Sequence, residues 1–585
     1  MTDRTDATDA TDSTDSLESP HGPHITDPPD APGRPAPQGC WEAVARTLAD
    51  AGVRTILGLP SDEPGLLDAA TALPELQVRV IGDQRIAACA AAGYAVAARE
   101  PVVLALNSGP AFANAVAGLL EAASLAVPVV VITTRVPADH IGQGAFQYLD
   151  QRGMVESLAG WTHLVERPEQ LRWAVRRAVR LARDGGPCLT VLEIADEVTR
   201  EQVPAAPARP RVRPVRSLPP AAELDAAAAA LRTARRPLIV AGGGTRWSDV
   251  RGLAALAETL ACPVFTTAAG RGALDEHHER AFGLLGLYTT PPAGDLLDSA
   301  DTLLVLGSRL EETARMGWRS WQTAHVIQAD HRVAAFDEGC PVAQPLLGDA
   351  GLIVDELAAR LAVDPPRPDP AWSARQRSVA AAQRTHAEAD FATSPVRAVL
   401  RAAQRELGTR ITLVQENGLH DIWSYHYPVL RLGPDTTVVC PGEQTMMGFG
   451  LGAAAGAALA RPDRPTLLVT GDSAFRMSVG ALDTLRRHEL GVITVVLDNQ
   501  GFGWPRRLRS ADPDGSHVPT TWQAAAPPDR IAEAFGGWGT TAHDAATLYD
   551  ALRQAAEREP KGQFSVIRVP VPDTDVPLGI QAAGY

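Results

Sequence analysis

Leu467-Leu468-Val469-Thr470-Gly471-Asp472-Ser473, followed by Val492-Ile493-Thr494-Val495-Val496-Leu497-Asp498-Asn499-Gln500-Gly501, decides the fold. Both apolar runs are short and rich in β-branched residues, so they read as buried parallel strands. Residues 478 to 490 leave room for a short crossover helix. Asp472 and Asn499 then fall just past the carboxyl ends of the two strands, where open parallel sheets bind ligands. A carboxylate and an amide oxygen at adjacent strand ends suit a hard cation. Mg²⁺ takes few protein oxygens and completes its shell with water and phosphate. The carbonyl of Gly501 is a third candidate ligand. Gly471 lets the backbone approach a diphosphate, and the amides opening the next helix favour anions.

The set Gly471-Asp472-Ser473…Asp498-Asn499 resembles the diphosphate and metal signature of thiamine-diphosphate enzymes, a Gly-Asp-Gly opening closed by an Asn at about this distance. Ser473 replaces the second glycine and Asp498 the first of a common Asn pair; neither change removes a ligand. The resemblance spans roughly residues 38 to 575 and is nearest to the acetolactate synthase, pyruvate oxidase and benzoylformate decarboxylase group. It implies thiamine diphosphate and Mg²⁺ as cofactors, with Asp472, Asn499 and Gly501 on the metal.

Composition agrees with such an enzyme. A chain of 585 residues accommodates three or four domains, and 45% hydrophobic residues can build large cores. A net charge of −15 argues against nucleic acid or an anionic membrane as partner. Six scattered cysteines without a Cys-x-x-Cys pair read as reduced thiols. No eighteen-residue apolar run and no signal-peptide pattern is present, so a cytoplasmic location without a membrane span is expected.

Strands alternate with helical segments throughout, which predicts α/β architecture with doubly wound parallel sheets. Together with the resemblance this gives three such domains behind a disordered tail. Residues 1–37, with their Thr-Asp-Ala/Ser repeat, form the tail. Residues 38–200 resemble the pyrimidine-binding domain, 201–221 a linker, and 222–362 a Rossmann-like central domain. Proline-rich 363–375 reads as a second linker, and 376–585 as the diphosphate- and Mg-binding domain.

In the first domain Asn107-Ser108-Gly109-Pro110 resembles the family's Thr-Ser-Gly-Pro loop, and Gly93-Tyr94-Ala95 its Gly-Tyr-Ala helix. The family carries a glutamate nine residues before that glycine, where it meets N1′ of the aminopyrimidine. Here the position is Gln84, with Asp83 beside it. Glutamine can hydrogen-bond N1′ but cannot shuttle a proton; Asp83 fills the slot if the alignment slips by one residue or the strand end is locally re-aimed. Gly144-Ala145-Phe146-Gln147 followed by Asp150 resembles the Ala-Phe-Gln segment of acetolactate synthases, which brings Gln147 to the substrate. The lysine those enzymes carry downstream is absent near Gly160-Trp161.

In the central domain Arg309 matches an arginine of FAD-bearing members, but Gln328-Ala329-Asp330-His331 replaces their Asp-Ile-Asp-Pro. A structural scaffold is expected there, with FAD as the alternative. In the third domain Glu416-Asn417-Gly418-Leu419-His420 with Trp423 resembles the family's Asp-x-Gly-x-His…Trp turn. That implies Asn417, Gly418 and His420 near the diphosphate, with His420 a candidate proton relay. Met447, within Gly442–Gly450, falls where a bulky apolar side chain wedges under the bent cofactor. Thr445, Ser473, Ala474 and Phe502 complete the expected cofactor contacts. Phe502, Trp504 and His517 fall where the family has a mobile segment over the site.

These readings imply decarboxylation and/or carboligation of a small 2-oxo acid in a homodimer or homotetramer with sites at the interface. The alternatives are a non-decarboxylating C–C lyase or hydrolase of the same superfamily, or a catalytically impaired cofactor-binding subunit, the last because of Gln84.

Overall fold

The computed structural model describes residues 37–204, 210–389, 394–510, 518–522 and 525–577. The expected tail lies outside these except for Pro37, as does His517.

Three six-stranded sheets, each wholly parallel, follow one another along the chain. The first comprises β1 (Thr55–Gly58), β2 (Gln77–Val80), β3 (Val102–Ala105), β4 (Val129–Arg135), β5 (Trp161–Val165) and β6 (Thr190–Ala195), in spatial order β2-β1-β3-β4-β6-β5. The second comprises β7 (Pro237–Ala241), β8 (Val264–Thr266), β9 (Ala281–Leu284), β10 (Thr302–Leu306), β11 (His325–Asp330) and β12 (Gln344–Leu347), in order β9-β8-β7-β10-β11-β12. The third comprises β13 (Thr412–Gln415), β14 (Thr437–Val439), β15 (Thr466–Gly471), β16 (Ile493–Asp498), β17 (Trp538–Thr541) and β18 (Ser565–Pro570), in order β14-β13-β15-β16-β18-β17. First and third sheets thus share one winding, while the middle one follows the dinucleotide-fold order. Central strands such as β3 and β16 are buried along their whole length, which is why β3 is wholly apolar and β16 is apolar but for Thr494 and the terminal Asp498.

Two domains meet along glycine-rich helices. Helix α1 (Gln84–Ala98) packs on α2 (Pro110–Ser124) and on α3 (Phe449–Ala460). A Cβ on Gly93 would lie 2.2 Å from the Ala453 carbonyl oxygen, and one on Gly456 only 1.9 Å from that of Ala90. The α1 and α3 backbones therefore touch, and larger side chains would force them apart. First and third domains share one hydrophobic core across this seam. The central domain is tied to the third by the buried Arg271–Glu276 pair, 2.6 Å apart. Arg271 also donates to the carbonyls of Ser424 and Leu430, and Glu276 accepts the Leu432 N–H.

The structure departs from the sequence reading in three places. The crossover after β15 begins at Asp472 itself, with helix α4 (Asp472–Met477), and continues as α5 (Ala481–Arg487). The expected 363–375 linker is already helical from Pro370. That helix runs to Ala389 and packs on the central domain, where Trp372 bonds the Pro237 carbonyl and Gln376 that of Ala261. Proline is tolerated in a first helical turn, so the proline run masked the start. Finally, residues 529–575 resemble one closing helix–strand pair in sequence (531–535 and 564–569), but the structure adds β17 and a helix over Ala545–Arg558 between them.

Candidate functional site

Chain direction across the third sheet reverses between β13 and β15, so a crevice opens at their carboxyl ends. Register puts Gln415 beside Val469 and Gly471 beside Leu497, which delivers the turns after β13, β15 and β16 to one place. A cavity there is lined by eleven of the expected residues: Asn417, Gly418, His420, Met447, Gly471, Asp472, Ser473, Ala474, Asn499, Gly501 and Phe502.

Asp472 is 1% exposed, and its Oδ2 has no hydrogen-bond partner. Burial, with Asp498 nearby, pushes its carboxyl up to about 7, against the pull of Arg476 and of the Ser473 and Gly501 backbone amides. A buried, unpartnered carboxylate oxygen is costly unless a cation meets it. Its neighbours fit that role. Asn499 donates its Nδ2 to Asp573 Oδ1 at 3.0 Å, and Asp573 is anchored by Arg506 at 2.7 Å, so the amide oxygen is left as the acceptor. The Gly501 carbonyl accepts from Ser473 Oγ at 2.8 Å and retains a second lone pair. Gly501 must be glycine, since a Cβ would sit 2.1 Å from the Thr520 carbonyl oxygen. No group of three His, Cys, Asp or Glu able to hold a metal occurs among the described residues. One carboxylate, one amide oxygen and one carbonyl form a donor set that suits a cation shared with phosphate and water.

Two more buried carboxyl groups belong to this region, Asp421 in the cavity lining and Glu416 just before Asn417. Glu416 Oε2 accepts the Gly450 N–H at 2.8 Å, and Asp421 Oδ2 accepts the Gly471 N–H at 3.1 Å. The second oxygen of each is unpartnered, and burial pushes Glu416 up to about 8 and Asp421 up to about 7. Sequence reasoning gave Asp421 no role; it sits directly after His420 in a turn where several residue types are plausible. His420 itself is buried, which lowers its pKa and keeps it neutral at pH 7, and its Nε2 bonds the Pro572 carbonyl at 3.0 Å. Only Nδ1 remains for any proton relay.

The remaining predicted residues are elsewhere. Asp83 is spent as the N-cap of α1, accepting the Ile86 N–H at 2.9 Å. Gln84 opens that helix, and its Oε1 accepts from Asn114 Nδ2 at 2.8 Å. Ser108-Gly109-Pro110 leads into α2. Gly109 has φ +66°, and a Cβ there would lie 2.4 Å from the Gln147 carbonyl oxygen. Gln84, Ser108–Pro110 and Gln147 thus gather around the first turns of α2, at the matching crevice of the first sheet. Beside Gln147, Phe146 is 84% exposed. None of these residues lines the Asp472 cavity. Thr445 does not either; with φ +49° it faces a cavity between domains that Gly243, Gly307 and Arg309 also line. Arg309 is occupied there, paired with Glu311 and donating to the Ser124 carbonyl at 3.0 Å. The expected residues therefore fall into separate groups: eleven around the Asp472 cavity, Gln84, Ser108–Pro110 and Gln147 around the start of α2, and Thr445 in the cavity between domains.

Comparison with known proteins matches all three domains. Residues 40–154 match the thiamine pyrophosphate enzyme N-terminal TPP binding domain, 224–357 the central domain, and 416–569 the C-terminal TPP binding domain. The acetolactate synthase large subunit of Parasynechococcus marenigrum (strain WH8102) is 30% identical over 486 residues, covering 80% of this chain and 77% of that protein. Acetolactate synthase isozyme 3 large subunit of Escherichia coli (strain K12) is 26% identical over 565 residues, 93% of this chain and 97% of its own. A probable acetolactate synthase large subunit of Methanocaldococcus jannaschii is 27% identical over 482 residues, 79% and 80% of the two chains.

Proposed function

Because the chain belongs to the thiamine pyrophosphate enzymes of the acetolactate synthase group, we propose that it decarboxylates a small 2-oxo acid and passes the product to a proton or a second carbonyl. The observation that carries this is the unpartnered Asp472 oxygen in a cavity shared with Asn499, Gly501 and Met447. Asp472, the Asn499 amide oxygen and the Gly501 carbonyl would hold Mg²⁺, and through it the diphosphate. Bound there, thiamine diphosphate supplies a nucleophilic carbon and an electron sink. The protein's part is positional. Met447 is the apolar floor under the cofactor, Phe502 and Trp504 wall the cavity, and Gln147 with its exposed neighbour Phe146 faces the substrate from the other half-site.

The two half-sites lie in different domains of one chain, so the reading includes assembly as a homodimer or homotetramer, one chain's Gln84 crevice facing its partner's Asp472 cavity. Six unpaired cysteines suit a reducing compartment such as the cytoplasm, and no helix among the described residues is long and apolar enough to cross a membrane.

The test is carbon dioxide release from pyruvate and other small 2-oxo acids, with thiamine diphosphate and Mg²⁺ added to the purified protein. Turnover that Mg²⁺ removal abolishes supports the reading; tight cofactor binding without turnover of any 2-oxo acid defeats it. One observation favours a second reading, a cofactor-binding subunit of low activity. Gln84 is held by Asn114 and has no proton to exchange with N1′. Cofactor binding without hydrogen–deuterium exchange at C2 would identify that case.

A further inference from the structure

The turn that delivers Met447 is gripped by carboxylates reaching across domain boundaries. Glu121, near the end of α2 in the first domain, is 0% exposed. Its Oε2 accepts the Gly442 N–H at 2.8 Å and its Oε1 accepts the Met446 N–H. From within the turn, Glu443 reaches the central domain, taking the Thr313 N–H at 2.9 Å and the Thr313 hydroxyl at 2.6 Å. Between these anchors Thr445 sits at φ +49°, a left-handed backbone that a β-branched residue adopts only when its surroundings impose it. Met447, one residue beyond the Glu121 grip, lines the Asp472 cavity. Burying a carboxylate in an alanine- and leucine-rich helix is costly, and here both of its oxygens are committed to holding a distant turn.

We infer that Glu121 is a positioning residue for the cofactor: by holding both ends of the Gly442–Met446 turn from the first domain, it sets the height of Met447 in the cavity and so the bend that thiamine diphosphate can adopt. This rests on the functional reading above. The grip also makes α2 a strut. Its second turn carries Asn114, which holds Gln84 of α1, and Glu121, about 10 Å further along at 1.5 Å per residue, holds the floor of the other half-site. Glutamine at 121 would keep one acceptor oxygen and turn an NH₂ donor toward a second N–H, so one of the two bonds is lost.

The experiment compares full-length wild type, Glu121→Gln and Glu121→Asp, with Mg²⁺, for binding of thiamine diphosphate and of inorganic diphosphate. Inorganic diphosphate needs the metal site but no bend. Glu121→Gln should weaken thiamine diphosphate binding at least tenfold and leave inorganic diphosphate within twofold. Equal loss of both probes, or unchanged affinity for thiamine diphosphate, overturns the inference. If Glu121→Gln does not fold, Glu121→Asp, which keeps the charge and loses the reach, must show the same selective loss or the inference fails. A wild type that binds neither probe defeats the functional reading, and this one falls with it.

Discussion

Replacing Asp472 by asparagine should make the metal-free protein more stable at alkaline pH while destroying its response to cofactor. Burial raises the Asp472 carboxyl from 3.8 to about 7 in the fold. An acid whose folded pKa is raised gives stability that is complete below its unfolded value. That stability is lost as pH climbs from about 3.8 through about 7, because the native state then binds more protons than the unfolded chain. A shift of some three units is worth roughly 4 kcal/mol as an upper bound, at 1.36 kcal/mol per unit. Asparagine keeps an acceptor for the Ser473 and Gly501 amides, so about half of this, roughly 2 kcal/mol, should appear as added stability in Asp472→Asn above pH 8. The assay is thermal unfolding of both proteins at pH 5 and pH 8.5, without metal and with Mg²⁺ plus thiamine diphosphate. Without metal, the variant should gain several degrees on wild type between the two pH values. With saturating ligand the order should reverse, since cofactor at a hundredfold over Kd adds about 2.7 kcal/mol to wild type alone. A metal-free variant that is no more stable than wild type at pH 8.5, or a difference that ignores pH, would refute the idea that Asp472 is held as an unpaired acid.

Gln84→Glu should speed hydrogen–deuterium exchange at the cofactor's C2 by about tenfold or more, since the Asn114 amide can hold either side chain in place; exchange that stays at the wild-type rate removes Gln84 from the cofactor. Gly109→Ala, at φ +66° and 2.4 Å from the Gln147 carbonyl, should displace the segment bearing Gln147. It should lower kcat/KM for the 2-oxo acid at least tenfold, with inorganic diphosphate affinity unchanged; equal loss of both would count against placing Gln147 at the substrate. Arg271→Ala strands Glu276 and leaves the Ser424 and Leu430 carbonyls without their donor. Removing one partner of a buried pair costs roughly 3–5 kcal/mol, so a clear drop in melting temperature is expected, and a shift within a degree would refute that assignment.

The part of the site legible in the sequence is the part built from chain-local turns. Gly471-Asp472 and Asn499 follow two unmistakable buried strands, and parallel pairing alone carries them to one sheet edge. What stayed hidden depends on residues far apart in the chain. Asn499 is oriented by Asp573 and Arg506, and nothing in the Asn-Gln-Gly turn announces a partner 74 positions away. Glu121 gave one faint signal, a lone carboxylate inside Ala117-Gly118-Leu119-Leu120-Glu121-Ala122-Ala123, which a purely helical reading places on any face. The proline run after Val363 concealed a helix because proline ends one helix and begins another equally well. The separation of the two half-sites was legible only as a family expectation, since no periodicity states which crevice belongs to which copy of the chain.

The repeated winding of the first and third sheets carries a chemical moral. One scaffold occurs twice, and its two crevices are furnished differently: amides of Gln84, Asn114 and Gln147 beside the N-capping Asp83 in one, the buried acids Asp472, Asp421 and Glu416 in the other. On the proposed reading the Gln84 amide can hold a ring nitrogen without taking or giving its proton, whereas a metal ion calls for an acidic ligand such as Asp472. Dividing the labour between duplicate frames leaves either frame free to change its ligand without redesigning its twin.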